Sequence, residues 1–279
     1  MKKYCLNINQ KVETFEIPRV MGIVNITPDS FFPSSRCQTE KEIIEKTNLH
    51  LISGADYIDV GAYSTRPNCA EVSEKEELER LDFALGVITK NFPNAIISVD
   101  TFRASVAEYV ADKYGVAIIN DISGGFDEAI FSVSARYNLC YVLMHIQGTP
   151  YTMHQKVDYQ DLTQEIIKFF VSKLEKLEFY GVNNIILDPG FGFSKNLDQN
   201  YLLLKELDNF KILEKPLLVG VSRKSMIYKF LNISPEESLN GTTVLNALAL
   251  IKGADILRVH DVKEAVEAVK ICKKSGLIG

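Results

Sequence analysis

The sequence predicts an α/β protein, a (β/α)8 TIM barrel with an N-terminal β-hairpin. Three observations predict it. Eight short apolar runs each lead to a polar residue, amphipathic stretches separate the runs, and one helix–Gly–strand string occurs twice, as Leu51–Val60 and again as Leu250–Val259. Runs this short and rich in Val and Ile read as parallel strands buried on both faces. Eight of them with helical crossovers close into a barrel of about 250 residues. The 279 residues of the chain accommodate one barrel and a small extension, so 1–19 reads as the hairpin and 20–279 as the barrel domain.

Residues 4–19 come first, as two alternating stretches around the polar turn Asn9-Gln10-Lys11. They predict a hairpin, which in a barrel would plug the end opposite the active rim. The strands follow in order: Val20–Val24 before Asn25, Tyr57–Val60 around Asp59, Ala95–Val99 before Asp100, and Val116–Ile119 before Asn120. Then come Cys140–Met144 before His145, Ile185–Leu187 before Asp188, Leu217–Val221 before Ser222, and Ile256–Val259, which leads through Arg258 to His260. Thr39 with Glu42, and Ser73 with Glu76, have the spacing of capping boxes and mark helix starts. Helices are expected over about 73–90 and about 158–179, with Gly caps at Gly54, Gly115, Gly181 and Gly253. The connections 26–38 and 62–72 are long and rich in turn residues. They are expected to act as mobile lids.

Composition sets bounds on function. The 46% hydrophobic and 24% charged residues suit a soluble globular protein with a large core. A net charge of −5, with no basic stripe, argues against nucleic acid or an anionic membrane as partner. Phosphate chemistry must then be a local pocket. The five cysteines (Cys5, Cys37, Cys69, Cys140, Cys272) are scattered without a CxxC, which supports neither a zinc site nor a disulfide framework. No run approaches the ~20 residues of a membrane span, and Met1-Lys2-Lys3 is not followed by a signal-type core. The expected location is cytoplasmic.

In a barrel the strand ends share one rim, so their polar residues converge. Asp100 and Asp188 each follow an apolar run directly, with Asn120 between them in strand order. They offer acceptors and an amide to the edge of a flat heterocycle, whose buried polar groups need such partners. The string Asp188-Pro189-Gly190-Phe191-Gly192-Phe193-Ser194-Lys195, with two glycines flanking Phe191, predicts a tight loop whose backbone approaches a ligand, with Phe193 against an aromatic ring. Ser222-Arg223-Lys224 and Arg258-Val259-His260 end the two strands that most often hold phosphate in this architecture. Arg and Lys suit phosphate as fork and point charge, and Arg258 and His260, two apart, face the same way. Asn25 offers a hard oxygen for Mg²⁺. His50 is expected at a helix surface, His145 near the pocket without a partner, and His154 in a loop; none is assigned to catalysis. The G-x-S-x-G, Walker A and G-x-G-x-x-G motifs are absent.

These strings together resemble one family, dihydropteroate synthase. The matching segments are Gly22-Ile23-Val24-Asn25-Ile26-Thr27-Pro28-Asp29-Ser30-Phe31, Asp59-Val60-Gly61 with Ser64-Thr65-Arg66-Pro67, and Ser98-Val99-Asp100-Thr101. They continue with Ile119–Gly125, Met144-His145 with Gly148-Thr149-Pro150, Asp188–Phe193, Gly220–Lys224 and Arg258–Val262. The matches run in order across all eight predicted strands. The resemblance implies an enzyme that joins 4-aminobenzoate to 6-hydroxymethyl-7,8-dihydropterin pyrophosphate, giving 7,8-dihydropteroate and pyrophosphate for folate synthesis. It implies that Asp100, Asn120, Asp188 and Lys224 bind the pterin, lined by Ile122, Met144, Phe193 and Arg258, with Gly192 and Gly220 at the substrate. Asn25, Arg66, Arg258 and His260 would hold pyrophosphate and Mg²⁺. Thr65, Arg66, Pro67, Phe193, Ser222 and Lys224 would shape the 4-aminobenzoate site, where sulfonamides compete. Asp100, Asp188, Lys224, Arg258 and His260 form the implied catalytic set, and a homodimer through outer helices is implied as well.

The chain departs from the family pattern twice. Pro33 stands where the first loop usually has Asp, and Gly61-Ala62-Tyr63-Ser64 replaces the commoner Gly-Gly-Glu-Ser. Altered loop dynamics with retained activity is the expectation. Three other readings stay open on sequence: a methyltetrahydrofolate–corrinoid methyltransferase on the same barrel, an aldolase-type barrel with Lys224 as Schiff-base lysine, and a pterin-binding paralogue without turnover.

Overall fold

The computed structural model describes residues 4–26, 37, 39–63, 72–149, 152 and 158–278. The first strands, β1 (Cys5–Ile8) and β2 (Lys11–Thr14), pair antiparallel, with Ile8 opposite Lys11. Asn9 and Gln10 turn between them with φ of 52° and 60°. Two positive φ values in succession are the geometry of tight hairpins, whose twist matches the strands.

Eight strands follow: β3 (Arg19–Asn25), β4 (Tyr57–Gly61), β5 (Ile97–Asp100), β6 (Ile118–Asp121), β7 (Cys140–Met144), β8 (Ile185–Asp188), β9 (Leu218–Val219) and β10 (Ile256–Val259). They run parallel in the order β8-β7-β6-β5-β4-β3-β10-β9. A parallel bridge from Leu187 to Leu217 joins β8 to the approach of β9, and Leu187 N donates to Pro216 O at 2.9 Å. The barrel is thereby closed. The third and fourth strands begin two residues later than the sequence predicts. The seventh shrinks to Leu218–Val219, because the chain from Gly220 already bends into the mouth.

Helices cover the outside: α1 (Glu40–Ile52), α2 (Glu74–Asn91), α3 (Ala104–Tyr114), α4 (Ala129–Arg136), α5 (Leu162–Phe179), α6 (Leu197–Lys205), α7 (Ser225–Leu231), α8 (Leu239–Ile251) and α9 (Val262–Lys274). The short α7 is additional to one helix per strand. Thr39 Oγ1 accepts from Glu42 N while Glu42 Oε2 accepts from Thr39 N, the predicted capping box. Ser73 caps α2 through Glu76 N. Helix α5 starts later than expected, at Leu162, after the N-cap Asp161, whose carboxylate accepts from Gln164 N. In the repeated string, Gly54 and Gly253 turn from helix to strand with φ of 97° and 99°, which other residues rarely adopt. None of the described helices is long and apolar enough to cross a membrane.

Strand residues alternate between two cores. Val20, Ile58, Val99, Ile119, Leu187 and Leu257 face the helices. Met21, Tyr57, Ile118, Ile186, Leu218 and Ile256 face inward and meet Leu6, Ile8 and Phe15 of the hairpin segment. Asn7 N also donates to Asn184 Oδ1, just before β8, at 2.8 Å. The hairpin therefore plugs the N-terminal end of the barrel, as the sequence predicts. A two-stranded hairpin is marginal alone. Each large side chain it buries contributes about 1.5–3 kcal/mol.

His50 corrects an expectation. It is not at the surface but 1% exposed, with Nε2 donating to Ile23 O at 2.9 Å. What buries it is the missing side chain at Gly22 on β3: a Cβ there would lie 2.8 Å from His50 Cγ and 3.0 Å from Val262 Cγ2. Burial, aided by Lys46, pushes the His50 pKa from 6.5 down to about 4. Protonation thus disfavours the native state, so stability is lost as pH falls from about 6.5 towards 4. Gly22→Ala is expected to destabilise by about 1–3 kcal/mol through overpacking, measured as a lower urea midpoint at unchanged slope.

Candidate active site

The inward positions change character along each strand. Two residues beyond the apolar floor, Tyr57 gives way to Asp59, Ile118 to Asn120, Ile186 to Asp188 and Ile256 to Arg258. The same parity brings Asn25, level with Gly61, and Asp100, level with Asn120, to this layer. The strand ends thus build a polar ring on an apolar base, at the C-terminal mouth where this architecture keeps its chemistry.

Arg258 organises the ring. Its Nε donates to Asp59 Oδ2 at 2.6 Å and its Nη2 to Asp100 Oδ2 at 2.8 Å. Asn120 Nδ2 donates to the same Asp59 oxygen at 3.2 Å. Burial works against the Arg258 charge, but Asp59 and Asp100 outweigh it and raise its pKa. Burial pushes Asp100 up to about 7, with Arg258 opposing. Asp59, fully buried, is placed at the rim by the sequence without a role, and here it holds both Arg258 and Asn120. It shares inward parity with Tyr57 and Gly61.

Across the mouth, Asp188 Oδ1 accepts from Gly190 N at 2.8 Å, and burial raises its pKa while Lys224 lowers it. Lys224 Nζ donates to Phe191 O at 2.6 Å and lies 4.5 Å from the centre of the Phe193 ring. Burial lowers its pKa to about 8, against the pull of Asp188. Gly192 allows this approach, since a Cβ there would meet Lys224 Cδ at 3.1 Å. At Gly220 a Cβ would lie 3.8 Å from Lys224 Nζ and 3.9 Å from Arg258 Cβ. Ser222 Oγ accepts from His260 N at 3.2 Å and pairs with His260 Nδ1 at 3.0 Å. Burial and the Arg258 charge keep His260 far below the usual imidazole range.

Phe102, Ile122, Met144 and Ile146 form an apolar wall beside the ring, with Tyr63 and Phe193 against it. The departure at Tyr63 is accommodated there, edge-on to Phe102 with centroids 5.2 Å apart. Carboxylates, amide and lysine near such a wall match a flat heterocycle with a polar edge.

Three expectations change or fall outside. Arg223 does not face the mouth. It has φ of 54°, which turns its guanidinium onto Asp261 at 2.8 and 2.9 Å and onto the carbonyls of Pro235 and Glu236. His145, expected to lack a partner, is buried with Nδ1 3.1 Å from Lys195 Nζ. Thr65, Arg66, Pro67, Pro33 and His154 lie outside the described residues. Asp100, Asn120, Asp188, Lys224, Arg258, Ser222 and His260 come together at the mouth, with Ile122, Met144 and Phe193 in its wall.

A family model described as pterin binding enzyme matches residues 21–260. The chain is 43% identical over 256 residues to the dihydropteroate synthase of Escherichia coli K12, across 91% of this chain and 90% of that protein. A Yersinia pestis dihydropteroate synthase solved with a sulfonamide drug has a TM-score of 0.92 at 39% identity, covering 98% of this chain and 99% of that one. A Thermus thermophilus dihydropteroate synthase in complex with 4-aminobenzoate has a TM-score of 0.86 at 33% identity, over 97% and 99%. The chain belongs to the dihydropteroate synthase family of pterin-binding enzymes.

Proposed function

We propose that the barrel mouth joins 6-hydroxymethyl-7,8-dihydropterin pyrophosphate to 4-aminobenzoate, giving 7,8-dihydropteroate and pyrophosphate, in the cytoplasm. The observation that carries this reading is the divided electrostatics of the ring. Asp100, Asn120 and Asp188 would meet the donor-rich pterin edge while Phe193 and Met144 cover its faces. Arg258, His260 and Arg66 would take the pyrophosphate. As the carbon–oxygen bond breaks, the electron pair leaves with pyrophosphate and a cation remains on the pterin methylene. The buried carboxylates favour that cation and the Arg/His side favours the anion, so both act where charge develops. The arylamine then needs positioning more than a strong base. Thr65, Arg66, Pro67, Ser222 and Lys224 would hold it, and sulfonamides would compete there. Lys224, paired to Phe191 O and facing Phe193, suits ring binding better than Schiff-base chemistry.

Mg²⁺ fits as a substrate-borne ion. No group of three His, Cys, Asp or Glu among the described residues forms a metal cluster, but Asn25 ends β3 with a hard amide oxygen beside Gly61. Mg²⁺ typically takes one or two protein oxygens, waters and phosphates. Held by Asn25, it would supply positive charge to the pyrophosphate. A homodimer is supported by α8, which has no charged residue and leaves Val244, Leu248 and Ile251 exposed, next to Phe230 and Leu231 of α7. Sedimentation is expected to give twice the chain mass, and Leu248→Glu to give the monomer.

The decisive assay is pyrophosphate release with Mg²⁺, with and without 4-aminobenzoate. Release with dihydropteroate formation, lost in Asp188→Ala and Lys224→Ala, supports the reading; pterin binding with no release overturns it. The pH profile is a further prediction. Asp100 must be ionised and Lys224 protonated, so kcat/KM is expected to rise through pH about 7 and fall above about 8. In Lys224→Arg the alkaline limb should disappear; a limb that persists assigns it to another group.

A further inference from the structure

We propose that Lys195, acting with His145, is a positioning residue that fixes the loop 188–193 for pterin binding. The inference rests on the reading of that loop as part of the pterin site. Lys195 follows the loop and is 8% exposed. Its ammonium reaches back under the loop: Nζ donates to Gly190 O at 3.0 Å and to Phe193 O at 3.1 Å, and lies 3.1 Å from His145 Nδ1. All three of its N–H donors thus meet neutral acceptors. Lys224 takes a carbonyl between them, Phe191 O. One short segment is therefore held by two lysines, Lys195 through the carbonyls of Gly190 and Phe193 and Lys224 through that of Phe191.

His145 is the fixed end of this clamp. Its ring stands edge-on to Phe169 at 5.0 Å. Burial and the neighbouring Lys195 charge keep it neutral, so Nδ1 keeps a lone pair to accept with. At Gly190 the loop presses onto the tip of β7: a Cβ would lie 2.1 Å from His145 O. The segment carries Asp188, Phe193 and the carbonyl that seats Lys224, so its position sets three groups at the site. Burial lowers the Lys195 pKa to about 7, against the attraction of Asp188; its hydrogen bonds go to the loop and to His145 rather than across the mouth, which argues for a positioning task.

The test uses the full-length protein. Wild-type turnover is measured first, and its absence fails the pterin reading rather than this inference. Lys195→Met keeps length and loses all three donors. The expected result is a KM for the pterin pyrophosphate raised about tenfold with kcat within about twofold, because substrate can still order the loop at a cost in binding. His145→Phe should give a smaller rise, and the double variant should be no worse than Lys195→Met, since the two act as a unit. If Lys195→Met is not recovered folded, Lys195→Arg decides: it keeps charge but not the three-point geometry, and the same KM rise is expected. A folded variant with lowered Tm and unchanged pterin KM makes the lysine merely structural and overturns the proposal.

Discussion

Replacing Arg258 with alanine is expected to lower kcat/KM by roughly 10³-fold or more and to destabilise the protein by about 3–5 kcal/mol at neutral pH. Both effects have one cause. Arg258 binds Asp59 and Asp100 through separate nitrogens, and its removal leaves the fully buried Asp59 and the half-buried Asp100 without their cation. The stability loss should depend on pH, and its sign follows from Asp100. Burial holds that carboxyl up near 7 even with Arg258 present, so without the guanidinium it protonates at still higher pH. A carboxyl whose folded pKa is raised weakens the fold at pH above its ordinary value of 3.8 and not below it. The gap between variant and wild type should therefore open as pH rises through about 7 and narrow on acidification. Arg258→Lys keeps the charge without the fork, and should fall between the two. Urea unfolding at several pH values checks this; a gap that widens towards acid would falsify the account.

The second large effect is opposite in its stability component. Asp188→Asn is expected to reduce pterin affinity by roughly 10²–10³-fold, because the proposed pterin edge loses its charged acceptor. Stability should nevertheless stay level or rise. Burial raises the Asp188 pKa, so the ionised form opposes folding at neutral pH. Asparagine keeps an oxygen for Gly190 N, which now bonds Asp188 Oδ1 at 2.8 Å, and removes the charge. Lys224 loses its opposite charge and should titrate lower. Calorimetric binding of a pterin alongside thermal unfolding separates the effects, and a fall in Tm of several degrees would count against a strained, function-serving carboxylate.

Much of the barrel and its rim is legible in the sequence. Strand ends were legible because the inward and outward parity of a barrel strand is written in the sequence, and the polar residue closing each run is a local signal. Asp59 is placed at the rim by the sequence, but it sits inside its run rather than after it, and no local pattern marks it as the partner of Arg258 on the last strand. Other features are not local. His50 is buried by a glycine 28 positions earlier on another element, which no periodicity in α1 records. Arg223 and Lys224 are neighbours of like charge, yet the left-handed backbone at Arg223 sends one to Asp261 and the other to the mouth. Lys195 closed a loop motif without any pattern marking it as buried.

The hairpin floor has a practical corollary. Because β1 and β2 seal the N-terminal end of the barrel and α9 runs back from the mouth towards that end, residues 4 and 278 both lie away from the substrate entrance. A purification handle, a surface tether or a second enzyme joined at either place would hang beneath the molecule. The entrance would still open to solvent, so immobilised or fused forms should take up substrate as freely as the untethered chain.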